Sequence, residues 1–455
     1  MTKKIERSIH ELYRADAERA DAVVFGRETG PSRRGFLNGA GLAAMGAVVG
    51  GTIPFNENMP GGLIPAAFAQ GTTTGPQPIQ TPAPAAPKGP QILEFPGKDK
   101  LVVLGDRPLV AETPAELLDD ATTPISKFFI RNNGIAPEAA KDADSWQLTV
   151  DGDVNKPLAL TLGELKKKFK AQTQRMVLEC GGNGRSFYSP TASGNQWTNG
   201  GAGCAEWTGV RIADVLKAAG PKSNAIYTSH YGTDVHLSGD AKRVTLSRGV
   251  RLEKAMDPNS MIVWAMNGEA LPNIHGGPVR LVYPGWPGSA SHKWVNKITL
   301  IDKEHDGPGM TGTSYRTTIK PMVPGDKPDP KNFKILESMP VRSIVTNPAN
   351  GAKIPAGTKE LKLRGASWAG DNTVRQVEVS IDFGIIWTKA TLEKQKNKYD
   401  WQRWAAAVKL PSDGYYEVWS RATDSKGMMQ PHVAAFWNPA GYGGNPMHRI
   451  AVLVG

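Results

Sequence analysis

The sequence predicts a mixed α+β, loop-rich region followed by an all-β sandwich of immunoglobulin type. Three observations carry this expectation. The 455 residues include 50 glycines and 35 prolines, well above the usual share of roughly 12%, so loops and strands should outnumber helices. Helical periodicity is confined to two short stretches. After Pro340, aromatic and β-branched residues recur at strand-like spacing.

Taken in chain order, Trp146–Gly152 alternates and ends in a turn, as a strand does. Thr161 and Glu164 form a capping-box pattern ahead of Leu162, Leu165 and Phe169 on one helical face. The triplet Lys166, Lys167, Lys168 then reads as the solvated side of that helix. Met176–Cys180 is a short apolar run that enters Gly181-Gly182-Asn183-Gly184. Ile212, Val215, Leu216 and Ala219 have helical spacing, stopped by Gly220-Pro221. Ile262–Met266 and Val279–Tyr283 read as strands, the second bounded by Pro278 and Pro284. These elements make up an α+β domain over residues 99–335. In residues 336–455, Val377, Val379 and Ile381 alternate before the turn Asp382-Phe383-Gly384. Trp401, Trp404, Tyr415, Tyr416, Val418 and Trp419 supply further strand residues. About seven short strands fit an immunoglobulin-like sandwich, and with no cysteine here it lacks an inter-sheet disulfide.

Two segments precede these domains. Residues 1–69 contain Ser32-Arg33-Arg34-Gly35-Phe36-Leu37, then a glycine-diluted apolar stretch, then Ala67-Phe68-Ala69. A twin arginine before a weakly hydrophobic run and a small-residue cleavage site predicts a twin-arginine signal peptide. That route carries folded proteins, so the mature chain is expected in the periplasm, with a cofactor loaded before export. Residues 70–98 hold seven prolines between Pro76 and Pro96 and read as an extended linker.

Composition narrows the chemistry. Hydrophobic residues at 40% and charged residues at 21% exclude global disorder. Two cysteines, Cys180 and Cys204, exclude a disulfide framework and a four-cysteine zinc site. No Cys-x-x-Cys-His occurs, so this chain attaches no c-type haem. The net charge of +11 is compatible with nucleic acid, a membrane surface, an anionic substrate or an acidic partner.

Two clusters carry chemistry. In Glu179-Cys180-Gly181-Gly182-Asn183-Gly184-Arg185-Ser186 a thiol ends an apolar strand, followed by glycines and an arginine. The glycines permit close backbone approach to a ligand, and successive N–H groups can cradle an anion. Cys180 could be a metal ligand, a nucleophile or an inert core thiol. A zinc site is disfavoured, because His-Glu-x-x-His is absent. A soft metal held mainly by a cofactor needs one protein thiolate and fits best. The second cluster is Asn273-Ile-His275-Gly-Gly-Pro-Val-Arg280, followed by Pro284–Trp294 with Ser291, His292 and Lys293. Such Gly/Pro-rich loops with His, Arg and Lys suit a phosphate. Arg280 pairing with a carboxylate and Trp294 serving as core are the structural alternatives.

Together these clusters resemble the sulfite oxidase family of molybdenum–molybdopterin enzymes over about residues 99–455. The family's Cys-x-Gly-Asn is matched by Cys180-Gly-Gly-Asn183, its His-Gly-x-Pro-Val-Arg by His275–Arg280, and its Lys-Trp loop by Ser291-His292-Lys293-Trp294. Phe129-Ile-Arg131-Asn132 looks like its pterin-contacting segment, and Asp234 lies where the family has an acidic pterin contact. The variant around Cys180, with Gly203-Cys204-Ala205-Glu206-Trp207, looks nearest the SoxC branch, the molybdenum subunits of sulfane dehydrogenases. The resemblance implies one molybdenum–molybdopterin per chain, with Cys180 on the metal. Asn132, Asn183, Asp234, His275, Arg280, Ser291, His292 and Lys293 would hold the pterin. Arg131, Arg185 and Tyr315 would serve catalysis. It further implies oxidation of carrier-bound sulfane sulfur in thiosulfate oxidation. Electrons would pass to a separate SoxD-like c-type cytochrome subunit, a sulfur-carrier protein would bring the substrate, and the sandwich would form a homodimer. The alternatives are a dehydrogenase of free sulfite, a periplasmic sulfoxide reductase of the same cofactor class, and, from another class, an exported non-catalytic binding protein with an immunoglobulin-like module. Two departures bear on the substrate: Asn133 stands where many members have histidine, and Ala440 where many have arginine. Cys204 reads as a buried or loop thiol, with a Cys180–Cys204 disulfide as the alternative.

Overall fold

The computed structural model describes residues 90–455. The predicted signal peptide and most of the linker lie outside the described residues. Residues 91–98, assigned above to the linker, belong to the folded body. Leu93 N–H donates to the Leu101 carbonyl at 2.8 Å, Val103 N–H to that of Gln91 at 2.8 Å, and Leu93 packs on a small apolar cluster with Leu101, Ala111 and Ile130.

Strands dominate, and helices are fewer than the expected α+β mixture. Among the described residues the α-helices are Leu162–Lys168, Ile212–Ala219 and Leu252–Ala255. The first two form where the sequence places them. Thr161 Oγ accepts from Glu164 N–H at 3.1 Å and the Glu164 carboxylate accepts from Thr161 N–H at 2.9 Å, a complete capping box. Lys166, Lys167 and Lys168 are exposed beyond it. The second helix buries Ile212, Val215, Leu216 and Ala219 and stops at Gly220, whose φ of +67° is left-handed. Each helix is too short to stand alone and is held by the face it buries.

Two five-stranded sheets build the first half. One joins Glu269–Ala270, Met261–Met266, Ala202–Arg211 and Gln172–Glu179, with Arg280–Val282 also pairing to Met261–Met266. The other runs Leu158–Thr161, Gln147–Gly152, Val295–Ile301, Tyr227–Gly232, Ser247–Arg251, and its Val295–Ile301/Gln147–Gly152 pair is parallel. A continuous core including Leu148, Val150, Val210, Leu216, Ile262, Leu281 and Ile298 fills the space around both helices.

In the second half, Arg342–Asn347, Glu360–Trp368, Gln402–Lys409 and Thr391–Leu392 make a four-stranded sheet. A five-stranded sheet joins Ala352–Ile354, His448–Val454, Gly414–Asp424, Val374–Ser380 and Thr388–Lys389. Val345, Leu363 and Trp404 of the first meet Val377, Val418 and Ile450 of the second in one core. The alternation at Val377 and Val379 is the inward face of one strand, and Phe383 turns the chain with a left-handed φ of +57°.

Candidate active site

The apolar run Met176-Val177-Leu178 is buried in its sheet and delivers Cys180 to the strand end. Cys180 N–H donates to the Gly201 carbonyl at 2.7 Å, and Asn183 N–H returns to the Cys180 carbonyl at 2.9 Å, which closes a tight turn. Gly184 closes it with a φ of +83°, and a Cβ there would collide with the Gly444 carbonyl. Gly181 packs so closely that a Cβ would meet Pro287 at 3.1 Å and Leu336 at 3.3 Å. These two glycines therefore make room for neighbouring protein.

The thiol opens into a cavity shared by most of the predicted residues. Arg131, Asn132, Asp234 and Tyr315 line it with Cys180. His275, Arg280, Ser291, His292 and Lys293 line it as well. Segments separated by more than 180 residues thus converge. Asn183 and Arg185 are not among its lining residues. Asn183 Nδ2 donates to Glu179 Oε1 at 3.0 Å and its Oδ1 accepts from Gly201 N–H at 3.0 Å, so it pins the cysteine turn. Arg185 Nε donates to the Ala440 carbonyl at 2.6 Å and Nη1 to that of Asn195 at 2.8 Å. Its guanidinium lies 5.2 Å from the Tyr442 ring, which stacks on Tyr315 at 5.0 Å. Arg185 therefore stands one layer behind the cavity wall.

The remaining groups make a basic, poorly compensated lining. Arg280 is 3% exposed and donates to the His275 carbonyl at 2.7 Å and the Ser291 carbonyl at 2.8 Å. It pairs with carbonyls, against the carboxylate alternative, and burial pushes it down to about 9. Ser291 Oγ accepts from Tyr283 N–H at 2.9 Å. Lys293 donates to the Ile274 carbonyl at 2.5 Å and to Asn132 Oδ1. Burial, then nearby Arg280, holds it well below the usual lysine range. Burial keeps His292 neutral, down to about 3, and pushes the Asp234 carboxyl up to about 6. The Tyr315 hydroxyl donates to Asn133 Oδ1 at 3.3 Å. Trp294 is buried, as its core alternative required.

Two residues escaped the sequence reading. Lys98 Nζ lies 2.6 Å from His275 Nε2 and donates to the Ile125 carbonyl at 2.5 Å. Burial brings it down to about 7 and, with the Lys98 charge, holds His275 well below its ordinary value. Lys98 sits at the end of a proline-rich stretch, and no local signal marks it. Arg248, behind Tyr315, is one of two arginines in an ordinary strand, and no pattern sets it apart from Arg251.

Cys180 and Cys204 are both free thiols. Cys204 is buried, its Sγ lies 3.4 Å from Asp400 Oδ1, and burial raises it well above the usual thiol range.

The lining fits a phosphate-bearing molybdopterin. Ser289 Oγ and His292 Nδ1 are buried in the cavity wall without partners among the described residues. Arg280, Lys293 and His275 concentrate basic groups around one carboxyl, Asp234, and one thiol is available to a soft metal.

Comparison with known proteins agrees. Residues 134–309 match the model of an oxidoreductase molybdopterin-binding domain, and residues 333–455 that of a Mo-co oxidoreductase dimerisation domain. The chain is 33% identical to sulfite oxidase of Gallus gallus over 381 residues, covering 81% of each. It is 31% identical to mitochondrial sulfite oxidase of Mus musculus, covering 78% of this chain and 66% of the relative. It superposes on a chain of the sulfane dehydrogenase SoxCD crystal structure from Paracoccus pantotrophus with a TM-score of 0.65 and 26% identity. That match covers 85% of this chain and 96% of the other. Fold and site together define a molybdopterin-dependent oxidoreductase acting on sulfur compounds. The chain belongs to the sulfite oxidase family.

Proposed function

We propose that the chain oxidises sulfane sulfur borne on a carrier protein and passes the electrons to a separate c-type cytochrome. The likeness to the sulfane dehydrogenase chain over nearly its whole length carries this reading. Ala440 supports it: the family resemblance implies an arginine at this position in many members, and a small side chain stands here instead.

When bound, molybdenum–molybdopterin supplies two-electron redox chemistry and the oxygen delivered to sulfur. Cys180 holds the metal. Arg280, Lys293 and His275 bind the pterin phosphate, with Ser291 fixing the Arg280 loop and Asn132 orienting Lys293. Asp234 and His292 face the same ligand. Arg131 stabilises the anionic, oxygen-bearing product from the cavity wall, and Arg185 adds its charge through Tyr442. The Tyr315 hydroxyl, held by Asn133, orients water or product. Asn183 acts by fixing the Cys180 turn.

The two-sheet second half is read as an immunoglobulin-like sandwich through which two copies pair. Periplasmic residence follows from Arg33-Arg34. Changing both to lysine should leave the protein in the cytoplasm, and unchanged export would contradict that reading. Steady-state turnover of the holoenzyme with cytochrome c tests the substrate. Carrier-bound sulfane should give the highest kcat/KM; free sulfite outrunning it would make the chain a sulfite dehydrogenase.

A further inference from the structure

We propose that Arg248, buried behind Tyr315 and not itself lining the cavity, is a specificity-determining residue of the substrate pocket that draws in the anionic sulfo group of substrate or product through its charge. This rests on the sulfur-oxidation reading above and names a group that reading lacked.

Arg248 lies on strand Ser247–Arg251, opposite His230 of Tyr227–Gly232. It is completely buried. Nη1 donates to the Gly309 carbonyl at 3.2 Å, whereas Nε and Nη2 are buried without partners among the described residues. The guanidinium carbon sits 4.7 Å from the Tyr315 ring centroid, and Tyr315 lines the cavity with Cys180. Leu246, two residues earlier in the chain, lines the same cavity.

Among the described residues no carboxylate hydrogen-bonds to this cation. The groups whose fields reach it are Tyr315, Tyr227, Tyr442 and Arg316, and its own field acts on His230, His292 and His305. Burial keeps those three histidines below their ordinary value. His230 Nδ1 and His292 Nδ1 are also orphaned. Four unpartnered buried nitrogens, one set carrying a permanent positive charge, are a costly arrangement for a fold to keep. The cost makes sense where an anion completes it.

The test uses the metal-loaded enzyme, with inorganic sulfate as the probe in titration calorimetry, at low and high salt. Arg248→Met should weaken sulfate binding by about tenfold, the effect of losing a weakly screened positive charge one layer behind the cavity wall. Its salt dependence should shrink, while Arg248→Lys keeps most of the affinity. The methionine variant should melt at or above the wild-type temperature, because an uncompensated buried charge has been replaced by an apolar side chain of similar size. Arg248→Gln carries the same comparison if the methionine variant does not fold. Unchanged sulfate affinity in the neutral variant, a wild type that binds no sulfate, or a lower melting point with affinity retained would each overturn the proposal. A wild type that binds sulfate through Arg248 yet turns over no sulfur compound would sink the functional reading and leave this one standing.

Discussion

At the scale of single residues, the fold places buried titratable groups where their charge state matters. His448 is an example outside the site. Burial pushes it down to about 4, and its Nδ1 accepts from Val345 N–H at 2.9 Å. The unfolded chain protonates this ring near its ordinary value of about 6.5. Between those values the unfolded state binds the extra proton, so stability is full above about pH 6.5 and drains as pH falls. His448→Asn keeps an acceptor for Val345 and removes the titration. The wild type should lose roughly 2 kcal/mol more than this variant between pH 7 and pH 5 in urea unfolding. Parallel pH profiles would show that His448 is not the linked group. The site residues differ in how readable they were. Cys180 and His275–Arg280 announced themselves because each motif is contiguous. Asn183 was legible as a motif member, but its position gave no hint that it pins a turn. Lys98 and Arg248 were invisible, since each acts through contacts across the fold and neither has a pattern of its own.

At the scale of elements, one buried ion pair couples the cysteine strand to the second half. Arg342 Nε donates to Glu179 Oε1 at 2.9 Å, and both side chains are buried. Trp368 Nε1 donates to Glu179 Oε2 at 2.7 Å, while Arg342 also reaches Asn199 Oδ1 at 2.9 Å and the Asn183 carbonyl at 3.0 Å. Strand Arg342–Asn347 therefore grips the Cys180 turn. Arg342→Met leaves Glu179 buried without its counter-charge, a loss of about 3 kcal/mol or more. The variant should melt lower and hold less molybdenum per chain; wild-type values in both assays would contradict this coupling. Such a pair spans 163 positions in the chain, beyond any local pattern. Capping, periodicity and glycine stops are local, and for that reason helices Leu162–Lys168 and Ile212–Ala219 were readable. Their scarcity was not, because the loops between strands carry no periodic signal.

At the scale of the whole molecule, the change in texture after Pro340 marked a switch to an all-β second half, whereas the molybdopterin-binding and dimerisation characters of the two halves were implied only by the family resemblance. How copies meet was not in the pattern. The second half exposes Phe383 (62%), Ile385 (54%) and Ile386 (57%), with Phe383 edge-on to Trp419 at 6.1 Å. Clustered exposed apolar side chains mark association surfaces. Phe383→Asp combined with Ile386→Asp should convert a dimer to monomers in sedimentation velocity, while an unaltered dimer would place the interface elsewhere.

The proposed chemistry requires sulfur from residue 180 bound to molybdenum. X-ray absorption at the molybdenum edge, on wild type and Cys180→Ser, reads that bond directly. The variant should keep its fold, lose nearly all turnover and show one sulfur neighbour fewer around the metal. An identical sulfur shell in the two proteins would contradict the assignment.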